Sequence, residues 1–149
     1  MKEMFVFKLQ SVLDYRKASE ENKLFLFSEK TRELAAEKET LDRLRAERFR
    51  LAEQLRQTTG RVLDADMLSL QVLSIKQLLD LEKKQREHIR RVAQELENRK
   101  EELLEAMKQR KTMETLRDRK LSEFRENLAS LDRRQADETS IARFIRREL

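Results

Sequence analysis

In the N-terminal third of the chain the apolar residues recur at steps of three, four and seven: Leu9, Val12, Leu13, Leu24, Phe27, Leu34, Leu41, Leu44, Leu51 and Leu55. A helix completes a turn in 3.6 residues, so this spacing gathers them on one stripe. The pattern predicts a first helical arm over about residues 5–57, about 80 Å long at ~1.5 Å per residue. A stripe of that length needs a partner along its flank. The eleven-residue step from Leu13 to Leu24, followed by sevens at Phe27, Leu34 and Leu41, predicts a coiled coil with a locally relaxed supercoil.

The pattern breaks at QTTGRVLDAD, residues 57–66. Gly60 lies just past the periodic stretch, where a left-handed helix cap needs a residue without a Cβ. Asp64 or Asp66 is suited to cap the next helix by accepting from its free amides. The turn is therefore placed at about 58–65 and a second arm at about 66–149. That arm carries a seven-residue comb in two registers offset by four. One holds Ile89, Leu96, Leu103, Phe124 and Leu131, and the other Ala93, Met107, Leu121 and Leu128. Between them the comb passes through Arg110, Glu114 and Arg117, with Met113 and Leu116 just off it, which predicts a local shift of phase. Leu68, Val72, Ile75 and Leu79 continue the comb backwards. Leu70, Leu73, Leu78 and Leu81 make that region apolar on more than one face.

Two long helices joined by a short connection run antiparallel. The expected fold class is all-α, an elongated antiparallel two-helix coiled coil (a helical hairpin) forming a single domain over 1–149. Folding near residue 62 sets residue i beside about 124 minus i. Leu9 then approaches Met113 to Leu116, and Leu34 approaches Ile89 or Arg90. The arms are unequal: the first runs out near Leu121, so a C-terminal helix over about 123–149 projects. It carries Phe124, Leu128, Leu131, Ile141, Phe144 and Ile145, which expose apolar surface unless a partner covers them.

Composition sharpens this picture by exclusion. One glycine and no proline among 149 residues leave too few turn formers for a sheet protein. Zero cysteines remove disulfides, thiolate nucleophiles and cysteine-bearing zinc patterns. The N-terminal MKEMFVFKLQSVLDYRK has no apolar core and cleavage site of a signal peptide, and no apolar run approaches the ~20 residues of a membrane span. The chain is 42% charged with a net charge of +5, and residues 108–149 hold 12 basic and 8 acidic residues, net +4. The positive excess thus sits toward the projecting end.

No residues are assigned as catalytic, cofactor-binding or metal-binding. A two-helix hairpin has no deep pocket to shift a carboxylate pKa, and one glycine makes no phosphate cradle. His88, the sole histidine, stands in EHIR without a second ligand and reads as a solvated or seam-flanking residue. The basic runs Arg43–Arg50, Arg117–Lys120 and Arg143–Leu149 are interleaved with acids, unlike the arm of a DNA reader, so no nucleic-acid partner is expected. In the terminal RRQADETSIARFIRREL, Ile141, Phe144 and Ile145 share a side of a helix among arginines, which fits a helix laid in a protein groove or on a membrane surface. The candidate protein-binding residues are Arg133, Arg134, Arg143, Phe144, Arg146 and Arg147.

Three stretches resemble the FliJ family, the small coiled-coil component of the bacterial flagellar protein-export apparatus. They are F-x-F-x-L-x-x-V-L-x-x-R at Phe5, Phe7, Leu9, Val12, Leu13 and Arg16; R-K-x-x-E-x-L-x-x-R-K at Arg110, Lys111, Glu114, Leu116, Arg119 and Lys120; and D-E-x-x-x-x-R-F at Asp137, Glu138, Arg143 and Phe144. The resemblance covers essentially the whole chain. It implies a non-enzymatic coupler, without cofactor, located in the cytoplasm against the inner face of the cell membrane at the flagellar base. The implied partners are the hexameric export ATPase and its regulator, the export gate membrane protein and export chaperones. On this reading the isolated protein is a monomer. The related injectisome stalk protein, a structural dimeric coiled-coil scaffold and a nucleic-acid accessory protein are the alternatives.

Overall fold

The computed structural model describes residues 3–58 and 64–148. They form two helices, α1 over Gln10–Thr58 and α2 over Ala65–Glu148, with no strand among the described residues. The all-α class and the packing of two long helices against each other match the expectation. Gly60 and most of the turn lie outside the described residues. The start of α2 does show its cap: the Asp66 amide donates to Asp64 Oδ1 at 3.3 Å, and the Leu68 amide to the Asp64 carbonyl at 3.2 Å. Asp64 thereby satisfies amides that the first helical turn leaves without partners.

The helices contribute to two compact units, one joining the chain up to Glu21 with Glu105 onwards, the other spanning Asn22–Leu104. Within the second unit α1 and α2 run antiparallel. Lys23 pairs with Glu102 at 3.3 Å, Lys30 with Glu95 at 2.5 Å, and Glu37 with His88 at 3.5 Å. Each step is seven residues on both helices, so the paired numbers always total 125. The ladder lies close to the expected register, and His88 is the seam-flanking residue anticipated for it.

The seam itself follows sevens more strictly than the apolar residues alone reveal. Leu13, Phe27, Leu34, Leu41 and Leu55 are buried or partly buried, and Glu20 and Arg48 occupy the heptad positions between them. On α2 the corresponding comb is Ile75, Glu82, Ile89, Leu96, Leu103 and Arg110. The two charged positions of each helix meet their opposites: Arg48 Nε donates to Glu82 Oε1 at 2.8 Å, and Arg110 Nε to Glu20 Oε2. Charge thus replaces apolar contact in two layers, one in each unit. The apparent eleven-residue gap after Leu13 is one such layer.

The second register of α2 differs from the expected one. Val92 and Ala106 are buried and Leu78 is partly buried, whereas Ala93, Val72 and Leu79 are exposed. Along Asn22–Leu104 the companion of each comb position lies three residues on, not four. In the first unit Met107, Glu114, Leu121 and Leu128 do become partly buried. A helix of 3.6 residues per turn drifts about 20° per heptad against a strict seven, so about five heptads move the contact by one residue. The phase shift expected around Arg110 is this changeover, with Ala106, Met107, Met113 and Glu114 all covered to some degree.

The first unit also departs from expectation at its N-terminus. Glu3–Phe7 has no regular structure and Lys8–Leu9 is a turn, from which the Gln10 amide donates to the Phe7 carbonyl at 3.1 Å. Met4 and Val6 are exposed while Phe7 is buried. Chain outside a helix advances up to ~3.3 Å per residue against ~1.5 Å in a helix, so these few residues can reach further along α2 than helix would. Phe5 and Phe124 meet with ring centroids 5.6 Å apart, beyond the expected limit near Leu121. Leu13, with no exposed surface, anchors the first turns of α1 behind this strap.

Candidate functional site

Every described residue from Leu131 to Glu148 is exposed, and all of them are helical. This end of α2 sustains its helix with local bonds, such as Thr139 Oγ1 to the Gln135 carbonyl at 2.8 Å and Arg133 Nε to the Ala129 carbonyl at 3.3 Å. Arg146 and Arg147 in the last turn face the negative end of the helix dipole. Ile141, Phe144 and Ile145, at spacings of three and four, share one side, and Phe144 is 64% exposed.

The structure places all six candidate residues on this segment, but not on one face. Arg133, Phe144 and Arg147 fall at spacings of eleven and three, along one line of the helix. Arg134, seven and eleven residues before Ile141 and Ile145, falls on their line of the helix, and Arg143 lies about 100° to the other side of Phe144. Arg146, two residues from Phe144, points roughly 200° away from it. It borders a groove on the far surface with Gln135, Glu138, Thr139, Ala142 and Arg143. The arrangement offers a narrow apolar strip edged by guanidinium groups, with Asp137 and Glu138 interrupting the positive charge.

A second groove, of about 610 Å³, lies in the same unit between the N-terminal strap and α2, lined by Met4, Phe5, Leu9, Leu116 and Phe124 among others. Leu9 and Leu116 border it together, as the expected register required. In the other unit the opening turns of α2 leave Met67, Leu70, Leu73, Leu79 and Leu81 exposed. Apolar residues on more than one face were legible in the sequence there. Which of them stay uncovered was not, because that depends on the three-residue offset of the seam.

The shifted ionisable groups are all members of ion pairs. A hydrogen bond from Lys30 holds Glu95 below the ordinary carboxylate value, and one from Lys23 does the same for Glu102. Bonds to Glu95 and then Glu33 raise Lys30, Arg50 lowers Glu47, and Glu20 raises Arg110. Such shifts belong to paired charges at a helix–helix surface and do not mark an acid–base couple. Among the described residues no cluster of three or more His, Cys, Asp or Glu side chains is placed to hold a metal ion, and no helix is long and apolar enough to cross a membrane.

Two long helices packed against each other and zipped by heptads define the class: a two-helix coiled-coil protein. The model of one family, described as the flagellar FliJ protein, matches residues 4–149, and the chain belongs to that family. Its membership implies a role related to flagellar protein export. Comparison with curated proteins and with solved structures gave no match.

Proposed function

We propose that this protein is a non-enzymatic coupler of the bacterial flagellar type III export apparatus, joining the export ATPase ring and its regulator to the membrane export gate and to substrate chaperones. It acts in the cytoplasm at the flagellar base, peripheral to the inner face of the cell membrane. The observation that carries the reading is the exposed C-terminal run of α2, where Phe144, Ile141 and Ile145 lie uncovered among Arg133, Arg134, Arg143 and Arg147. A ring or regulator with an acidic, partly apolar surface is steered by the charges and held by the buried side chains. Paired helices without a catalytic pocket serve this purpose by transmitting position rather than by reacting.

The test is affinity for the cognate export ATPase, its regulator, the gate and the chaperones after removal of residues 133–149, with helicity recorded on the same sample. Helicity per residue is expected to hold, and affinity for at least one partner to fall tenfold or more. Phe144→Ala in the full chain is expected to raise the off-rate, and Arg143→Gln with Arg147→Gln to slow association and flatten its salt dependence. Unchanged affinity for every partner in a folded, truncated chain overturns the assignment of the C-terminal helix as the contact.

A further inference from the structure

The opening turns of α2 carry an apolar face that the α1–α2 seam does not use. That seam takes Gln71, Ile75, Leu78, Glu82 and Gln85, all buried or partly buried. Further round the helix, roughly 120° away, runs another stripe: Asp66, Leu70, Leu73, Gln77, Leu81 and Lys84. Its steps are four, three, four, four and three, the spacing of a coiled-coil seam with one stutter. Leu70, Leu73 and Leu81 are 63%, 51% and 48% exposed. Leu70, Leu73 and Leu81, three and eight residues apart, fall on one side of a helix already paired on another side and form a second seam without an occupant.

We propose that this stripe is a self-association surface through which two copies of the chain pair, antiparallel, in the manner of a two-fold symmetric helix contact. The occupant follows from the distribution of charge. The stripe begins with an acid, Asp66, and ends with a base, Lys84, and neither has an ion-pair partner among the described residues. A two-fold axis near Ile75 sets residue i of one copy against about 150 minus i of the other. Asp66 then meets Lys84, Leu70 meets Leu81, and Leu73 meets Gln77, each contact occurring twice by symmetry. Parallel pairing sets Asp66 against Asp66 and Lys84 against Lys84, which like-charge repulsion opposes. The pattern is therefore self-complementary in one orientation only.

The contact is modest. From Asp66 to Lys84 the stripe is about 27 Å long, on a helix about 10 Å across. That is smaller than the ~800 Å² per partner of a standard stable interface, which makes the association weak and reversible. A monomer at low concentration that pairs on crowding is the state expected, which adds a concentration dependence to the monomer that the family resemblance implied.

Sedimentation velocity on the full chain at low salt, from about 5 µM to about 500 µM, reads the pairing directly. The sedimentation coefficient is expected to climb toward that of a dimer across this range. Leu73→Asp is expected to remain monomeric throughout, with helicity checked by circular dichroism. Asp66→Lys and Lys84→Asp are each expected to weaken pairing at least fivefold, because each sets like charges against one another at both ends. An equimolar mixture of the two variants is expected to recover wild-type pairing, since each mixed pair has opposite charges at both ends. A wild-type chain that stays monomeric to the highest concentration overturns the proposal. So does dimerisation by Leu73→Asp, or a mixture that pairs no better than its components.

Discussion

Glu82 is 1% exposed, and its environment shows how a charged residue specifies a coiled coil. Arg48 reaches it at 2.8 Å from α1, and Arg86 approaches at 4.0 Å from the next turn of α2. Removing a buried carboxylate from water is costly, and the pair offsets that cost only when its geometry holds. Sliding the helices by one residue separates the partners and leaves Glu82 buried alone. Arg48→Ala is expected to destabilise the fold by about 2 kcal/mol, below the usual range for a buried pair because Arg48 is partly exposed and Arg86 remains. Glu82→Leu is expected to be neutral or stabilising, since an apolar side chain fits this layer without desolvation. Urea unfolding followed by circular dichroism measures both. A larger loss in Glu82→Leu than in Arg48→Ala contradicts this account.

Between the two elements, the ladder of Lys23–Glu102, Lys30–Glu95 and Glu37–His88 flanks the seam at each heptad. These pairs are open to water and weak singly, so their contribution falls with salt. Their pH dependence has a definite sign. Glu95 and Glu102 are held below their ordinary 4.5, first by hydrogen bonds from Lys30 and Lys23. A carboxylate lowered on folding contributes stability that is fully present above 4.5 and is lost as pH falls through its lowered value. Lys30 is raised above 10.5, so its contribution is complete below 10.5 and is lost as pH rises through the raised value. The thermal midpoint is therefore expected to drop on acidification below about pH 4.5. In Lys23→Met/Lys30→Met it is expected to start lower at neutral pH and to lose less over that acid interval. An equal acid loss in both proteins removes the ladder as the cause.

For the molecule as a whole, the decisive comparison is between a coupler and a catalyst. The single glycine leaves no means of building a backbone cradle for phosphates, and the shifted ionisable groups are engaged in ion pairs. The purified chain is expected not to hydrolyse ATP by itself, while being free to alter the turnover of a partner ATPase. Phosphate release followed through successive columns tests this. Activity that tracks the amount of this chain, after contaminating ATPases have been separated, refutes the reading. At this scale the C-terminal helix and the opening turns of α2 have different tasks available. The first presents arginines around a small apolar strip, and the second presents leucines between an acid and a base.

Two helices, an antiparallel register and an Asp cap were determined by the sequence alone, for simple reasons. Scarce glycine and absent proline leave few places to turn, heptad spacing gathers the leucines on one side, and a short connection forces the second helix back along the first. The exposed arginines and Phe144 were also legible, because no residues of the first arm remain to cover them. Only the tertiary structure decided which residues close the seam. The seven-residue comb favoured Ala93 over its neighbour Val92, and hydrophobicity Val72 over Gln71, but α2 is too long for a strict seven to stay in phase, and its accumulated rotation selected the latter of each pair. It also placed Glu20 and Arg48 in the heptads of α1, positions that an apolar pattern passes over, because their partners Arg110 and Glu82 come from residues distant in the chain. The strap at Phe5–Phe7 belongs to the same class. Its apolar residues suit a helix as well as a non-helical strap, and only the structure shows Phe5 meeting Phe124 of the opposite helix.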